Sequence, residues 1–244
     1  RLAGMNAVEV AGVWQFYGDF PALRDISFAI EPGGCMALLG RNGAGKTTLL
    51  RIVAGLARPA RGKVTILGSD NRGRAARASV GILGHGVSLY DELSAYENLR
   101  LFARLYGLAD ANHAAMKWLE RTGLDRVKDG LVREFSRGMR QRLAVARAFL
   151  HEPVVLLLDE PFTALDDRAI ELLQGLLRDA MNDGRTVLIS THQLREALEL
   201  ATHVALLVRG RLAHTGPRTP QMLEDTGWLY RQYGEAQSAP SLRA

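Results

Sequence analysis

The sequence has 244 residues and is 47% hydrophobic, which is enough apolar material for one large folded domain and excludes a largely disordered chain. Its 31 basic and 26 acidic residues give a formal net charge of +5, which fits an anionic partner such as a nucleotide, lipid headgroups or nucleic acid without choosing among them. The single cysteine, Cys35, excludes an internal disulfide framework and any CxxC metal or CxxCH heme-attachment site, so a reducing cytoplasm is the default compartment.

The first predicted elements are strands. The segments VEVAGVWQFYG and ISFAI alternate apolar and polar residues, as half-exposed antiparallel strands do. The segments CMALLG, VVLLLDE and TVLIS are continuous apolar runs, which are typical of central parallel strands buried on both faces. Each run is far shorter than the roughly 18 apolar residues that cross a bilayer, and the N-terminus lacks a signal-peptide core. We therefore expect a buried parallel sheet and no membrane span.

Helical patterns separate the first two of these runs. They are AYENLRLFARLYGL, ANHAAMKWLERTGL and SRGMRQRLAVARAFL, and they predict a helical subdomain at about 88–151 inserted into the sheet. After TVLIS come a predicted helix, QLREALELA, and a hairpin, HVALLVRGRLAHTG, with its turn at Arg209 and Gly210. The small polar residues GEAQSAPSLRA at the end are expected to fray.

Together these patterns predict an α/β fold in one domain. It would comprise a mostly parallel sheet that carries the glycine-rich motif GRNGAGKTT, as a P-loop NTPase core does, with an antiparallel β subdomain and the inserted α-helical subdomain. The expected boundaries are 6–87 and 152–216 for the core with the β subdomain, 88–151 for the helices and 217–244 for a C-terminal extension.

The strongest chemical signal is GRNGAGKTT, Gly40 to Thr48. It matches GxxxxGK[ST], follows a predicted buried strand and precedes a helical run, which is the context that this motif requires. Glycines let the backbone N–H groups turn inward around phosphate oxygens at a helix N-terminus, whose dipole favours anions. Lys46 is then expected to reach the β- and γ-phosphates, and Thr47 to offer a hydroxyl to Mg²⁺.

An acidic pair ends the second apolar run. Asp159 and Glu160 follow a strand of aliphatic residues, so they lie at the carboxyl edge of the sheet, where nucleotides bind in open α/β folds. We expect Asp159 to hold Mg²⁺, directly or through water, and Glu160 to face an attacking water. An isolated acidic pair is often only a solvated loop, but here it accompanies a phosphate loop.

Two further segments help to distinguish among the classes of phosphate-loop protein to which this sequence could belong. FSRGMRQRLAVARA places Ser136 at a predicted N-cap, followed by Gly138 and an amphipathic helix, which makes a second anion-binding helix terminus. Two phosphate sites suggest two nucleotides shared between two chains. Just past TVLIS, His192 is either a histidine at the edge of the core or a donor to the γ-phosphate that orients the attacking water.

The phosphate loop, SRGMRQR, LLLDEP, TALD and STH occur in an order and spacing that resembles the ATP-binding subunit of an ABC transporter, over about residues 6–216. The resemblance implies that Tyr17 stacks on adenine, that Ser136 to Met139 form the signature segment, and that Asp166 is the D-loop aspartate. It also implies that Asp159 holds magnesium, that Glu160 is the catalytic base and that His192 is the switch histidine. The implied Walker A residues are Gly40, Arg41, Asn42, Gly43, Ala44, Gly45, Lys46, Thr47 and Thr48.

The same resemblance implies partners. Two such subunits, as a homodimer or pseudo-dimer, would close head to tail with two ATP and Mg²⁺ at the interface, each signature helix capping the ATP held by the other. Closure and reopening would drive transmembrane permease subunits from a peripheral position on the cytoplasmic face of the inner membrane. No nucleic acid partner is expected.

The sequence departs from the family pattern in two places. The usual LSGGQ signature is here Phe135-Ser136-Arg137-Gly138-Met139, which keeps Ser136 and Gly138 and adds the positive charge of Arg137, as in exporter-type subunits. The position of the Q-loop glutamine is His85, for which we expect a hydrogen-bonding or water-mediated role in the ATP site, because imidazole is a poor ligand for Mg²⁺.

The cargo stays open at this stage. LGH followed by ELSAYENL also resembles the ATPase subunit of the heme exporter of cytochrome c maturation, whereas an exporter of a drug, lipid or polysaccharide is the alternative. A soluble ABC ATPase of translation or DNA repair would usually show two cassettes or a long coiled-coil insertion, and neither is present. A GTP-dependent switch would need an NKxD segment, which is absent from the sequence.

Overall fold

The computed structural model describes residues 5–84 and 89–233. Its strands are β1 (Val8–Tyr17), β2 (Phe20–Ile30), β3 (Cys35–Leu39), β4 (Arg61–Ile66), β5 (Ser69–Asp70), β6 (Val80–Leu83), β7 (Val155–Asp159), β8 (Thr186–Thr191), β9 (His203–Val208) and β10 (Arg211–Pro217). Its α-helices are α1 (Lys46–Val53), α2 (Arg74–Ala78), α3 (Ala95–Leu105), α4 (Ala111–Arg121), α5 (Arg137–Phe149), α6 (Asp167–Asn182), α7 (Leu194–Leu198), α8 (Pro220–Glu224) and α9 (Trp228–Tyr233). Short 3₁₀ helices lie at Asp125–Val127 and Val132–Glu134.

The described strands form two sheets. One is antiparallel with the order β2-β1-β4-β5, and the other has the order β10-β9-β3-β8-β7-β6, in which every neighbouring pair except β9 and β10 is parallel. All residues of β3, β7 and β8 are buried, as expected for parallel strands covered on both faces. The α/β fold with a mostly parallel sheet and a separate antiparallel sheet is therefore confirmed.

Alternation along β3 builds a core on each face of the parallel sheet. Met36 and Leu38 pack with α1 and the antiparallel sheet, whereas Ala37 and Leu39 pack with the helices on the opposite face. The carboxyl end of β3 thus lies between two rigid layers. This is the point at which the phosphate loop leaves the sheet.

Helices α3, α4 and α5 lie between β6 and β7 in the chain and form a layer with their own apolar contacts. The Trp118 ring of α4 meets the Phe149 ring of α5 at 5.1 Å between centroids, and both side chains are buried. The start of α3 is fixed by a capping box between Ser94 and Glu97.

The C-terminal end of α5 lies directly on β6. A Cβ atom on Gly81 would come within 2.2 Å of the Ala148 carbonyl oxygen, so only glycine permits this approach. One residue along, Arg147 Nη2 donates to the Ile82 carbonyl at 3.3 Å. The strand and the last turn of the helix are therefore tied together.

The predicted hairpin turn is confirmed. Arg209 and Gly210, between β9 and β10, both have positive φ, 48° and 76°. Positive φ at both positions is required in a two-residue turn whose twist matches that of the flanking strands. The basic segment NRGRAARAS contains α2 (Arg74–Ala78), which buries Ala76 and leaves Arg74 and Arg77 exposed.

Two features singled out in the sequence concern residues that the structure does not describe. His85 and the terminal GEAQSAPSLRA lie outside the described residues. Within 5–84 and 89–233, none of the helices combines the length and apolar character needed to cross a membrane.

A buried asparagine fixes the segment that leads into α3. Asn98 Oδ1 accepts the Tyr90 amide at 2.8 Å, and its Nδ2 donates to the carbonyls of Tyr90, Leu93 and Ser94 at 2.9, 3.3 and 2.9 Å. Since Asn98 is fully buried, its replacement by alanine removes all four of these hydrogen bonds and takes the acceptor from the Tyr90 amide, whereas the three carbonyls keep backbone donors.

We expect Asn98→Ala to lower the free energy of unfolding by about 2 kcal/mol or more, because it removes the four hydrogen bonds that this buried amide makes. The measurement is thermal unfolding followed by circular dichroism. The matched control is Asn112→Ala, which removes an exposed amide that contacts only the Tyr96 hydroxyl, at 3.0 Å, among the bonds described for it. Equal melting temperatures for the two variants would contradict the expectation.

Candidate nucleotide site

The phosphate loop joins β3 to α1 and needs glycine at two crowded positions. A Cβ on Gly40 would lie 2.6 Å from the Leu207 carbonyl oxygen, and one on Gly45 would lie 2.8 Å from Leu23 Cδ2. Gly43 and Gly45 also have positive φ, 80° and 107°. Within the described residues, no side chain caps the start of α1 at Gly45, so the first N–H groups of the helix are available to an anion.

Lys46, the first residue of α1, turns back over the loop. Its side chain is only 7% exposed, its Nζ donates to the Gly40 carbonyl at 2.7 Å, and it lies 3.8 Å from Glu160 Oε1. A buried ammonium group needs such partners. Phosphate oxygens entering the loop would replace the Gly40 carbonyl as the acceptors of the Lys46 ammonium group.

Thr47 and Asp159 meet across the sheet edge. Thr47 Oγ1 donates to Asp159 Oδ2 at 2.8 Å, whereas Asp159 Oδ1 is buried and has no hydrogen-bond partner among the residues that the structure describes. A hydroxyl and a carboxylate with one free oxygen are hard oxygen donors of the kind Mg²⁺ prefers. These two residues, predicted from the sequence as metal ligands, therefore fit a magnesium ion.

Glu160 is held by the end of β8. Its backbone has a φ of 50°, a strained conformation for a non-glycine residue, and its N–H donates to the Ser190 carbonyl at 2.7 Å. Its Oε2 accepts the Thr191 hydroxyl at 2.9 Å and lies 2.8 Å from His192 Nδ1. The structure thus brings the predicted base and the predicted switch histidine into direct contact.

Lys46, Thr47 and most residues of the phosphate loop line one cleft of about 510 Å³ with Glu160 and His192, whereas Asp159 lies behind this lining. Beside the loop, Glu160 and His192, its wall includes the predicted adenine-stacking residue Tyr17, which is 58% exposed, and Phe20, which is 65% exposed. Phe20 was missed by the sequence analysis. It lies opposite Tyr17 in the β1–β2 register, so an exposed aromatic just past the Gly18-Asp19 turn was the signal that could have found it.

Three predicted site residues lie elsewhere. Ser136 caps α5 by accepting the Met139 amide at 3.2 Å, Gly138 lies in the first turn of that helix, and Asp166 caps α6 by accepting the Ala169 amide at 2.8 Å. None of the three lines the cleft as far as the described residues define it. A single chain therefore holds the phosphate loop and Glu160 in one cleft, but its Ser136 and Gly138 do not line that cleft.

A glycine loop between a buried parallel strand and a helix, with an acidic strand end beside it, defines a P-loop nucleotide-hydrolysing protein. The family described as ABC transporter matches residues 23–163, more than half of the chain. The chain therefore belongs to the ABC transporter family, and it is an ABC ATPase.

Known proteins support this assignment at the level of sequence and fold. The chain is 40% identical over 212 residues to the Nod factor export ATP-binding protein I of Cupriavidus metallidurans, covering 85% of this chain and 70% of that protein. A solved ATP-binding subunit of an ABC transporter matches with a TM-score of 0.82 and 31% identity over 93% of each chain. A dimeric ATP-binding cassette in a post-hydrolysis state with ADP and Pi matches with a TM-score of 0.79 and 25% identity, over 87% of this chain and 99% of that one.

Proposed function

We propose that this chain is the ATP-hydrolysing subunit of an export-type ABC transporter and that it drives a separate membrane permease from the cytoplasmic face of the inner membrane. The observation that carries the proposal is the division of the site: the cleft holds the loop, Glu160 and His192, whereas Ser136 and Gly138 lie outside it. A second copy would have to supply the missing anion-binding helix terminus. The dimeric relative with ADP and Pi supports the same arrangement.

In the proposed reaction, ATP enters the cleft with its ring against Tyr17 and its phosphates in the loop. Lys46 leaves the Gly40 carbonyl for the β- and γ-phosphate oxygens, and this also removes a positive charge from beside Glu160. Mg²⁺, held by Thr47 and Asp159, would neutralise charge on the phosphates.

Hydrolysis then depends on Glu160. A water molecule attacks the γ-phosphorus, its proton passes to the Glu160 carboxylate, and the bond from the γ-phosphorus to the bridging oxygen breaks to give ADP and phosphate. His192 is placed to orient this carboxylate, because its Nδ1 lies 2.8 Å from Oε2 and donates when it carries the proton. We propose that the role of His192 is to change its hydrogen-bond partner from Glu160 to the γ-phosphate.

We propose that the transporter exports its cargo, and we do not assign heme as that cargo. Export is supported by the relative named for Nod factor export. The heme expectation rested on Leu83-Gly84-His85 followed by ELSAYENL. His85 lies outside the described residues, and none of the relatives reported above is named for heme.

The test is to co-express the chain with the membrane proteins encoded beside it and to isolate the permease in detergent. We expect a stable complex with ATPase activity that co-purifies with membranes. The matched control is the chain expressed without those membrane proteins. Sedimentation with ribosomes or DNA, and never with membranes, would overturn the transporter function in favour of a soluble ABC ATPase of translation or DNA repair.

A further inference from the structure

Two exposed aromatic side chains lie at the tip of the β1–β2 hairpin. Tyr17 ends β1 and Phe20 begins β2, with Gly18 and Asp19 between them. The two aromatic residues are direct partners in the antiparallel register, so their side chains project from the same face of the hairpin with Cβ atoms about 5 Å apart. Both rings are mostly exposed. This corner of the molecule therefore offers ring surface to a flat apolar group.

The two rings are not used for packing inside the described part of the chain. Among residues 5–84 and 89–233, neither Tyr17 nor Phe20 stacks on another aromatic ring or meets one edge-on. Phe16, by contrast, stacks on Trp14 with 6.1 Å between ring centroids and 11° between the ring planes. Both unstacked rings line the cleft that contains the phosphate loop. They are therefore available to a ligand bound in that cleft.

The start of β2 lies directly on the phosphate loop. A Cβ atom on Gly45 would lie 2.9 Å from the Ala22 carbonyl oxygen, so strand and loop are in close contact at this point. Ala22 also lines the cleft, and Phe20 lies on the same face of β2, two residues or about 7 Å further along the strand. A nucleotide with its triphosphate in the loop would pass Ala22 and bring its base to Tyr17 and Phe20.

We propose that Phe20 is a nucleobase-binding residue, whose ring contacts the base of ATP together with the ring of Tyr17. Strands β1 and β2 line the cleft with Tyr17, Phe20 and Ala22, and only Tyr17 among these has a polar side-chain group. This part of the wall therefore binds the base through ring faces rather than through hydrogen bonds to its edge, so adenine and guanine are held with similar affinity. The inference rests on the proposed placement of ATP in the cleft and adds a second aromatic residue to it.

The test is Phe20→Ala, with the Kd of three ligands measured by titration calorimetry without Mg²⁺, so that hydrolysis is suppressed. Loss of one contact between a base and an aromatic ring predicts that the Kd for ATP and the Kd for GTP rise by about 5- to 30-fold. The Kd for inorganic tripolyphosphate, which has no base, should keep its wild-type value. Phe20→Tyr, which keeps a ring, should restore most of the affinity for ATP that Phe20→Ala loses.

Phe16→Ala is the matched control, because it removes an exposed ring from the same hairpin at a residue that is not among the described residues lining the cleft. We expect wild-type affinity for ATP in this variant. A wild-type Kd for ATP in Phe20→Ala, an equal rise in Phe16→Ala, or an equal loss of tripolyphosphate binding in Phe20→Ala would overturn the inference. Failure of the wild-type chain to bind ATP at all would instead overturn the nucleotide site itself, so the two failures are distinguishable.

Discussion

Replacing Glu160 with glutamine should reduce kcat for ATP hydrolysis by about 100-fold or more while leaving ATP binding nearly intact. A positioned general base contributes roughly 10²- to 10⁴-fold to such a reaction, and an amide cannot accept the proton of the attacking water. Glutamine keeps the shape of the side chain and can still accept the Thr191 hydroxyl, which now lies 2.9 Å from Oε2. The loop and Lys46 stay in place, so ATP is held but not consumed.

Two measurements check this expectation. Phosphate release gives kcat, and size-exclusion chromatography with and without ATP and Mg²⁺ should show an ATP-dependent dimer that persists in Glu160→Gln and decays in the wild type. Glu152→Gln is the matched control, because Glu152 is an exposed carboxylate paired with Lys117 and remote from the cleft lining. Unchanged hydrolysis in Glu160→Gln would mean that another group is the base.

Lys46→Ala should raise the Kd for ATP by about 10- to 100-fold, since hydrogen bonds to charged groups contribute about 1.5–3 kcal/mol each. The side chain now bonds the Gly40 carbonyl at 2.7 Å and would exchange it for phosphate oxygens. Its removal also leaves Glu160 without the cation that lies 3.8 Å from Oε1.

Calorimetric titration with ATP and Mg²⁺ measures this loss. Lys63→Ala removes an exposed lysine of β4 and should leave the affinity unchanged. Circular dichroism should show that both variants are folded. Wild-type affinity in folded Lys46→Ala would argue against the phosphate-loop assignment.

The sequence predicted the central strands because their signals are local. CMALL, VLLLD and TVLIST are buried throughout in β3, β7 and β8, as runs of apolar residues between polar ends indicate. Their order in the sheet, with β8 between β3 and β7, depends on contacts between residues far apart in the chain and has no local signal. The sequence analysis missed the short strands β4 and β5. RGKVTI buries only Val64 and Ile66, so its apolar residues are too few to give a clear strand signal.

The nucleotide site shows the same contrast between local sequence signals and contacts that join distant parts of the chain. Lys46, Thr47, Asp159 and Glu160 stand in motifs whose spacing sets their chemistry, and the structure brings them together at one sheet edge. The contact between Glu160 and His192 joins β7 to β8. It does not follow from spacing, because it depends on how the chain returns to the sheet.

The tie between the end of α5 and β6 has a mechanical consequence. Ala148 and Arg147 hold that end against Gly81 and Ile82, whereas Ser136 stands at the opposite end of a 13-residue helix. At 1.5 Å per residue the helix is about 20 Å long, so a rotation of about 10° around the fixed end moves Ser136 by about 3 Å. That distance is the length of a hydrogen bond. In the proposed dimer, a small tilt of α5 at β6 would therefore be enough to make or break the contact of Ser136 with the partner's nucleotide.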